Sequence, residues 1–245
     1  MNRYLAIFCF LLAGISVNTF AYEFNVGVVD YPPHIVVKDK VPSGRAIDYI
    51  QDFMDKNGDS VTFTVLPVMR GQKQLVDGNI DLLLPIEHAP EGGITIKKPF
   101  LKLVPGLCFQ KNNFVPILSA THRLKSLKIG YADGSDLPKT LKDSGATLIA
   151  LKGISGHERG IKMLKANRFD ALYHANPVFI YHHKNPLSKD VACSYFHGLT
   201  THVYVTVSPA LEAKKAKHIQ STFTKAIEEQ SYRDFYNTER PPTTF

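Results

Sequence analysis

Apolar positions recur along the chain with two different periods. Ala46, Ile47, Tyr49, Ile50, Phe53 and Met54 share one helical face, opened by Ser43-Gly44 and closed by Asn57-Gly58. Val61 to Leu66, rich in β-branched residues, then reads as a strand. The alternation returns further on, with Ile129 to Ala132 as strand, Asp136 to Ser144 as helix and Thr147 to Leu151 as strand. Lys214 to Glu229 reads as a late helix and Ser231 to Tyr236 as a short final one. Strands alternating with helices of this length predict parallel sheets, right-handed crossovers and ligands at the carboxyl ends of the strands. The expected class is α/β.

The pattern is also duplicated. Arg70-Gly71, Lys73, Leu75, Asp81 and Leu83 align without a gap on Arg159-Gly160, Lys162, Leu164, Asp170 and Leu172. Each copy reads as an amphipathic helix, broken near Gly78 or Asn167, followed by a short buried strand. Upstream of each lies a second echo, Val26-Gly27-Val28-Val29-Asp30 and Ile129-Gly130-Tyr131-Ala132-Asp133. Both enter turn chemistry, through Pro32-Pro33 and Gly134-Ser135. Two similar strand-helix-strand-helix-strand units follow from this. Leu103 to Phe109 and His202 to Val207 flank the second unit and read as segments crossing between two lobes. Lobe 1 is then residues 22–107 plus 203–245 and lobe 2 is residues 108–202. Two lobes joined by two strands suit hinge closure around a small molecule.

Residues 1–21 stand apart. Arg3, an uncharged run from Tyr4 to Ile15, and small residues at Thr19 and Ala21 form the layout of a secretory signal peptide cleaved after Ala21. That run is too short to span a bilayer. The expectation is an exported, soluble, periplasmic monomer. Removing the segment takes one Arg and no acidic residue, so the formal charge of +7 becomes +6. The basic residues are dispersed, with no stripe or stacking motif for nucleic acid. Composition, at 44% hydrophobic and 21% charged, is that of an ordinary globular chain. Of the three cysteines Cys9 leaves with the signal, and Cys108 and Cys193 are either a disulfide closing a loop of about 85 residues or two buried thiols. No paired metal-ligand spacing, nucleophile elbow, Walker loop or dinucleotide fingerprint occurs, His182-His183 included, so neither metal nor cofactor is expected.

Val-Gly-Val-Val-Asp-Tyr-Pro-Pro at 26–33, Gly44 with Asp48 behind it, Leu75 through Asp81, Pro99-Phe100 and Arg168-Phe169-Asp170-Ala171 together resemble the family 3 bacterial extracellular solute-binding proteins. The resemblance covers essentially the whole mature chain. It implies the two-lobed type II periplasmic binding fold, each lobe a mostly parallel sheet flanked by helices, joined by two hinge strands. The implied partners are a small polar solute and an ABC permease or sensor protein in the membrane. The family's amino acid receptors clamp the ligand carboxylate with an Arg just past the strand matching Ile80 to Pro85, where this chain runs Glu87 to Gly93 without Arg. They hold the amine with an acid at the position that is Ala175 here. Both halves of the amino acid signature are therefore missing.

Position still nominates site residues. Tyr31, just beyond Asp30, can stack on a ligand, and Arg70 at a helix start can grip a carboxylate or phosphate. Glu87 and His88 occupy the place of the lost Arg and suit a cationic group. Ser135 precedes a helix whose first amides can bind an anion; His174 and Asn176 end a strand and can donate to a ligand oxygen. Asp81 and Asp170, being repeated, are expected to hold strand ends. The leading function is capture of a small polar solute for ABC-type uptake or sensing. The alternatives are a periplasmic enzyme on the same scaffold, similar to cyclohexadienyl dehydratases and using Glu87, His88 and His174 as acid and base groups, and a ligand-free accessory module.

Overall fold

In the computed structural model the described residues are 21–116, 121–154, 156–177 and 189–238. Residues 1–20, which hold most of the expected signal segment, and the His182-His183 pair lie outside them. The chain runs β1 (Glu23–Val28), β2 (Val36–Lys38), β3 (Val41–Ser43), α1 (Arg45–Lys56), β4 (Ser60–Val65), α2 (Val68–Val76), β5 (Leu82–Ile86), β6 (Ile94–Thr95), β7 (Leu101–Leu103) and β8 (Gly106–Gln110). It continues through β9 (Lys128–Ala132), α3 (Lys139–Lys142), β10 (Thr147–Leu151), α4 (Gly156–Lys165), β11 (Ala171–His174), β12 (Val191–Tyr195), β13 (Thr201–Val207), α5 (Ala213–Glu229) and α6 (Tyr232–Thr238).

Two sheets result. The first has strand order β4-β1-β5-β13-β6, with β7 paired to β13; the second has order β10-β9-β11-β8-β12. Each contains one parallel triplet, β4-β1-β5 or β10-β9-β11, followed by an antiparallel strand. The antiparallel strand, β13 in the first sheet and β8 in the second, immediately follows a strand of the other sheet or of the hinge. Val104-Pro105 leads into the second sheet, and residues 196–200 lead back. Of the two apolar segments expected to cross, His202 to Val207 is instead the body of β13. There it pairs β7 and β5, because its alternate side chains Val203, Val205 and Val207 belong in the first core.

Period-two burial explains why the central strands read as unbroken apolar runs: both faces are covered. Leu82 and Leu84 enter the large core with Phe24, Val26, Ile50, Met54 and Phe223, while Leu83 and Ile86 pack with Leu66 and Leu75 on the other face. In the second sheet Leu107 and Phe109 face one cluster with Ile129 and Tyr173, and Cys108 faces another with Ile161, Leu164 and Leu172. Cys108 and Cys193, opposite one another on β8 and β12, are joined as a disulfide.

The duplicated motif turns out to be a packing device. A Cβ on Gly71 would lie 2.7 Å from Leu83 Cδ1, and one on Gly160 would lie 2.8 Å from Leu172 Cδ1, so each helix approaches its strand closely only as glycine. Leu75 and Leu164 are fully buried one turn later. Gly78 (φ 75°) and Asn167 (φ 54°) both take the left-handed conformation that ends the helix. Asp81 then accepts the Asn25 amide at 2.9 Å while donating its own amide to the Asn25 carbonyl; Asp170 does the same with Lys128, at 2.7 Å. Each Asp thus registers the third strand of its triplet against the first.

Candidate functional site

The carboxyl ends of both parallel triplets converge on one cleft. Val29, Asp30 and Tyr31 follow β1, Leu66 to Val68 follow β4, and Pro85 to Glu87 end β5. Ala132 ends β9 and Asp133 to Ser135 follow it, Gly153 and Ile154 follow β10, Gly156 and His157 open α4, and Tyr173 and His174 end β11 with Ala175 just beyond. Parallel strands expose their ends to a shared crevice in this way. The cleft encloses about 50 Å3, room for about four water-sized groups.

The two sides are closed on each other by specific contacts. The Asp136 amide donates to Glu87 Oε2 at 2.7 Å, and His88 Nε2 lies 3.1 Å from Asp136 Oδ2, whose other oxygen holds Lys142 at 3.0 Å. His157 hydrogen-bonds the Asp30 carbonyl. Behind the cleft, Asn176 Nδ2 meets His34 Nε2 at 3.3 Å, and His34 Nδ1 meets the Tyr232 hydroxyl at 3.0 Å. Gly134 (φ 89°) packs against Val68 so closely that a Cβ would come within 2.6 Å of Cγ1. That position therefore requires glycine both for its backbone and for cleft closure.

Inside, the chemistry is acidic and aromatic. Glu87 is pushed up to about 7, chiefly by burial, against the Asp136 amide that favours its charged form. Burial, with help from the Glu87 charge, pushes the Tyr31 and Tyr173 phenols up as well. The Tyr31 hydroxyl is buried and has no hydrogen-bond partner among the described residues. Such an atom costs stability unless something completes it. Burial pulls His157 down to about 4, and pulls His174 down too; their rings lie 4.3 Å apart, with Tyr31 6.1 Å from His157. The Asn176 amide donates to His174 Nδ1 at 2.9 Å. Asp30, Glu87 and Asp133 line the cleft, and among the described residues no Lys or Arg does.

Of the sequence-nominated residues, Tyr31, Glu87, Ser135 and His174 line the cleft. His88 is on the rim, 73% exposed and engaged with Asp136. Asn176 is buried one step behind the wall. Arg70 is exposed on α2 and is not part of the lining, because Gly71 and Leu75 claim the inner face of that helix. The helix expected to begin after Ser135 starts only at Lys139: Pro138 is its N-cap and it is four residues long. The Asp136 amide serves Glu87 instead. His157 and Tyr173 were not anticipated. His157 has no repeated counterpart, and Tyr173 sits in an apolar strand that reads as core.

No protein-family model and no curated protein sequence matches the chain. Solved structures do. An ancestral arginine-binding protein bound to arginine superposes with TM-score 0.69 at 18% identity, over 87% of this chain and 96% of the other. An amino acid ABC transporter substrate-binding protein from Streptococcus pneumoniae bound to L-arginine gives 0.70 at 19%, over 87% and 92%. This is the two-lobed fold of the amino acid substrate-binding proteins. An ancestral amino acid-binding protein described as a precursor of cyclohexadienyl dehydratase also shares it, with TM-score 0.69 at 16% identity over 87% and 93%. Among the described residues no helix is long and apolar enough to cross a membrane.

Proposed function

We propose that the protein is an exported solute-binding protein that captures a small polar solute in the interlobe cleft by hinge closure and presents it to a membrane permease or sensor. Lobe 1, expected as residues 22–107 plus 203–245, is drawn by the sheets at 22–105 plus 201–245, with lobe 2 between (residues 106–200) and a signal peptide removed after Ala21. The observation that carries this reading is a cleft built from six strand ends of two sheets and latched across by Glu87 and Asp136. Its lining includes a buried hydroxyl without a protein partner among the described residues, open to a ligand donor. Neighbours sharing the fold at low identity are binding proteins that carry arginine in their structures, which supports the same class of role.

The test is small-angle scattering together with a thermal-shift screen over amines, organic acids, amino acids and short peptides. A ligand that raises the melting temperature should also reduce the radius of gyration. A chain that no solute stabilises or compacts is not a receptor. A second reading, an enzyme on this scaffold, draws on Glu87, whose carboxyl titrates near neutrality within a buried cleft, where a general acid or base belongs. Glu87→Gln separates the two, since a catalyst loses turnover at retained affinity whereas a receptor has no turnover to lose.

A further inference from the structure

We infer that the cleft selects a small organic ammonium that carries no carboxylate, gripped by Glu87 and the Tyr31 hydroxyl between aromatic walls. The inference rests on the receptor reading and narrows its ligand.

Three observations carry it. The first is charge. Asp30, Glu87 and Asp133 line the cleft, while no Lys or Arg of the described residues does. Lys142 and, when protonated, His88 are both engaged by Asp136 at the rim, and Arg159, beside Gly153 at the cleft edge, donates to the Lys152 carbonyl. The N-terminus of α4 also faces the cleft but contributes only about half a positive charge. A ligand carboxylate would therefore enter buried and unpaired next to fixed negative charge, which costs several kcal/mol or neutralises the group.

The second is the orphaned atom. Tyr31 is only 7% exposed, and its hydroxyl oxygen can accept from an ammonium N–H. Glu87 Oε2 is taken by the Asp136 amide, which leaves Oε1 for a ligand donor. The third is the wall. Tyr31 and Tyr173 line the cleft together with Glu87, so the carboxyl and the two phenol side chains share one pocket. Aromatic faces beside a carboxylate are the setting in which organic cations are held. The cleft also fits only a few heavy atoms, about four water-sized groups.

Size-matched probes decide the matter: n-propylammonium, L-alanine and propionate, titrated calorimetrically into the full mature protein, with scattering in parallel. Propylammonium should bind at least about tenfold more tightly than either carboxylate-bearing probe, the margin set by one charge-assisted hydrogen bond. At pH 7 it should release a proton, visible as buffer-dependent heat, because the cation draws down a Glu87 carboxyl that burial holds up to about 7. Tyr31→Phe should weaken propylammonium about fivefold while leaving the ligand-free melting temperature unchanged or higher, since the orphaned hydroxyl is gone. Alanine or propionate binding as tightly as the amine overturns the inference and leaves the receptor reading standing. Amine binding without proton release, or undiminished by Tyr31→Phe, also overturns it. Failure of all three probes to bind or compact the protein overturns the inference and counts against the receptor reading as well.

Discussion

The two lobes carry the same motif and are held together differently. Lobe 1 buries the motif under α5. Lys215 from that helix reaches Asp81 Oδ2 at 2.9 Å and lies 4.7 Å over the Phe24 ring, and a large cluster runs from Phe24 to Tyr232 on one face of the sheet, with a smaller one around Leu75 and Leu83 on the other. In lobe 2 Asp170 is exposed, the core divides into two smaller clusters on either side of the sheet, and a disulfide ties β8 to β12. Lobe 2 thus carries a covalent tie between two of its strands, whereas in lobe 1 a helix covers the motif's Asp. Small cores are stabilised by such cross-links when hydrophobic burial alone is insufficient.

The largest effect should therefore come from cutting that tie. Cys108→Ser with Cys193→Ser frees a loop of 85 residues, worth about 4–5 kcal/mol in the chain-entropy model. Calorimetry should resolve lobe 2 melting first and lobe 1 near its original temperature. A single undisplaced transition would mean that the interlobe contacts, not the disulfide, hold lobe 2.

The lobes also face each other with groups of opposite titration behaviour. Glu87, from lobe 1, is raised from 4.5 to about 7; the folded state then binds the extra proton, and the stability it contributes is full below 4.5 and lost as pH rises through 7. His157, from lobe 2, is lowered from 6.5 to about 4, so its contribution is full above 6.5 and lost as pH falls through 4. Each is worth at most about 3 kcal/mol. Between pH 4.5 and 6.5 the two slopes oppose, and this pair leaves stability nearly flat. Glu87→Gln should unmask a rise across that window and His157→Phe a fall, read from denaturant midpoints at stepped pH. Identical profiles for the two variants would break the assignment.

Glycines at equivalent places should respond unequally. A Cβ on Gly130 meets three atoms of the Phe169 ring at 2.6–3.0 Å, and a ring cannot fold away. A Cβ on Gly27 meets chiefly the flexible tip of Ile80 at 2.5 Å. Gly130→Ala should cost about 2–3 kcal/mol and Gly27→Ala about 1 kcal/mol. Equal costs would show that the lobes relax alike.

These contrasts mark how far the residues alone could be read. The duplicated motif was legible because its glycines, leucines and aspartates each perform one packing task twice, and a task performed twice leaves a pattern. Helix limits at Asn57-Gly58 and Gly78 were legible because left-handed residues end helices. The site was only half legible. Tyr31, Glu87, Ser135 and His174 follow strand ends and reach the cleft, whereas Arg70 lies outside its lining, since a helix start near a strand end says nothing about which side of the helix faces inward. His157 was invisible: it has no partner in the repeat, and its place depends on how the lobes meet across Asp30. The short α3 was misread because Pro138 as an N-cap moves the start past Asp136.

The smallest contrast tests the motif itself. Asp81 and Asp170 make the same two backbone contacts, but the Asp81 side chain is 17% exposed and paired with Lys215, itself 19% exposed. Removing its charge leaves a half-buried ammonium over Phe24 without its carboxylate, whereas the same change at Asp170 leaves groups that water can solvate. Asp81→Asn should cost about 2 kcal/mol and Asp170→Asn about 0.5 kcal/mol, with both strand registers intact because the amide oxygen still accepts. Adding Lys215→Met should reduce the Asp81→Asn penalty, since the stranded charge goes with it. If the double variant is as destabilised as the sum of the singles, the difference between the lobes lies in the backbone contacts and not in the helix that covers one of them.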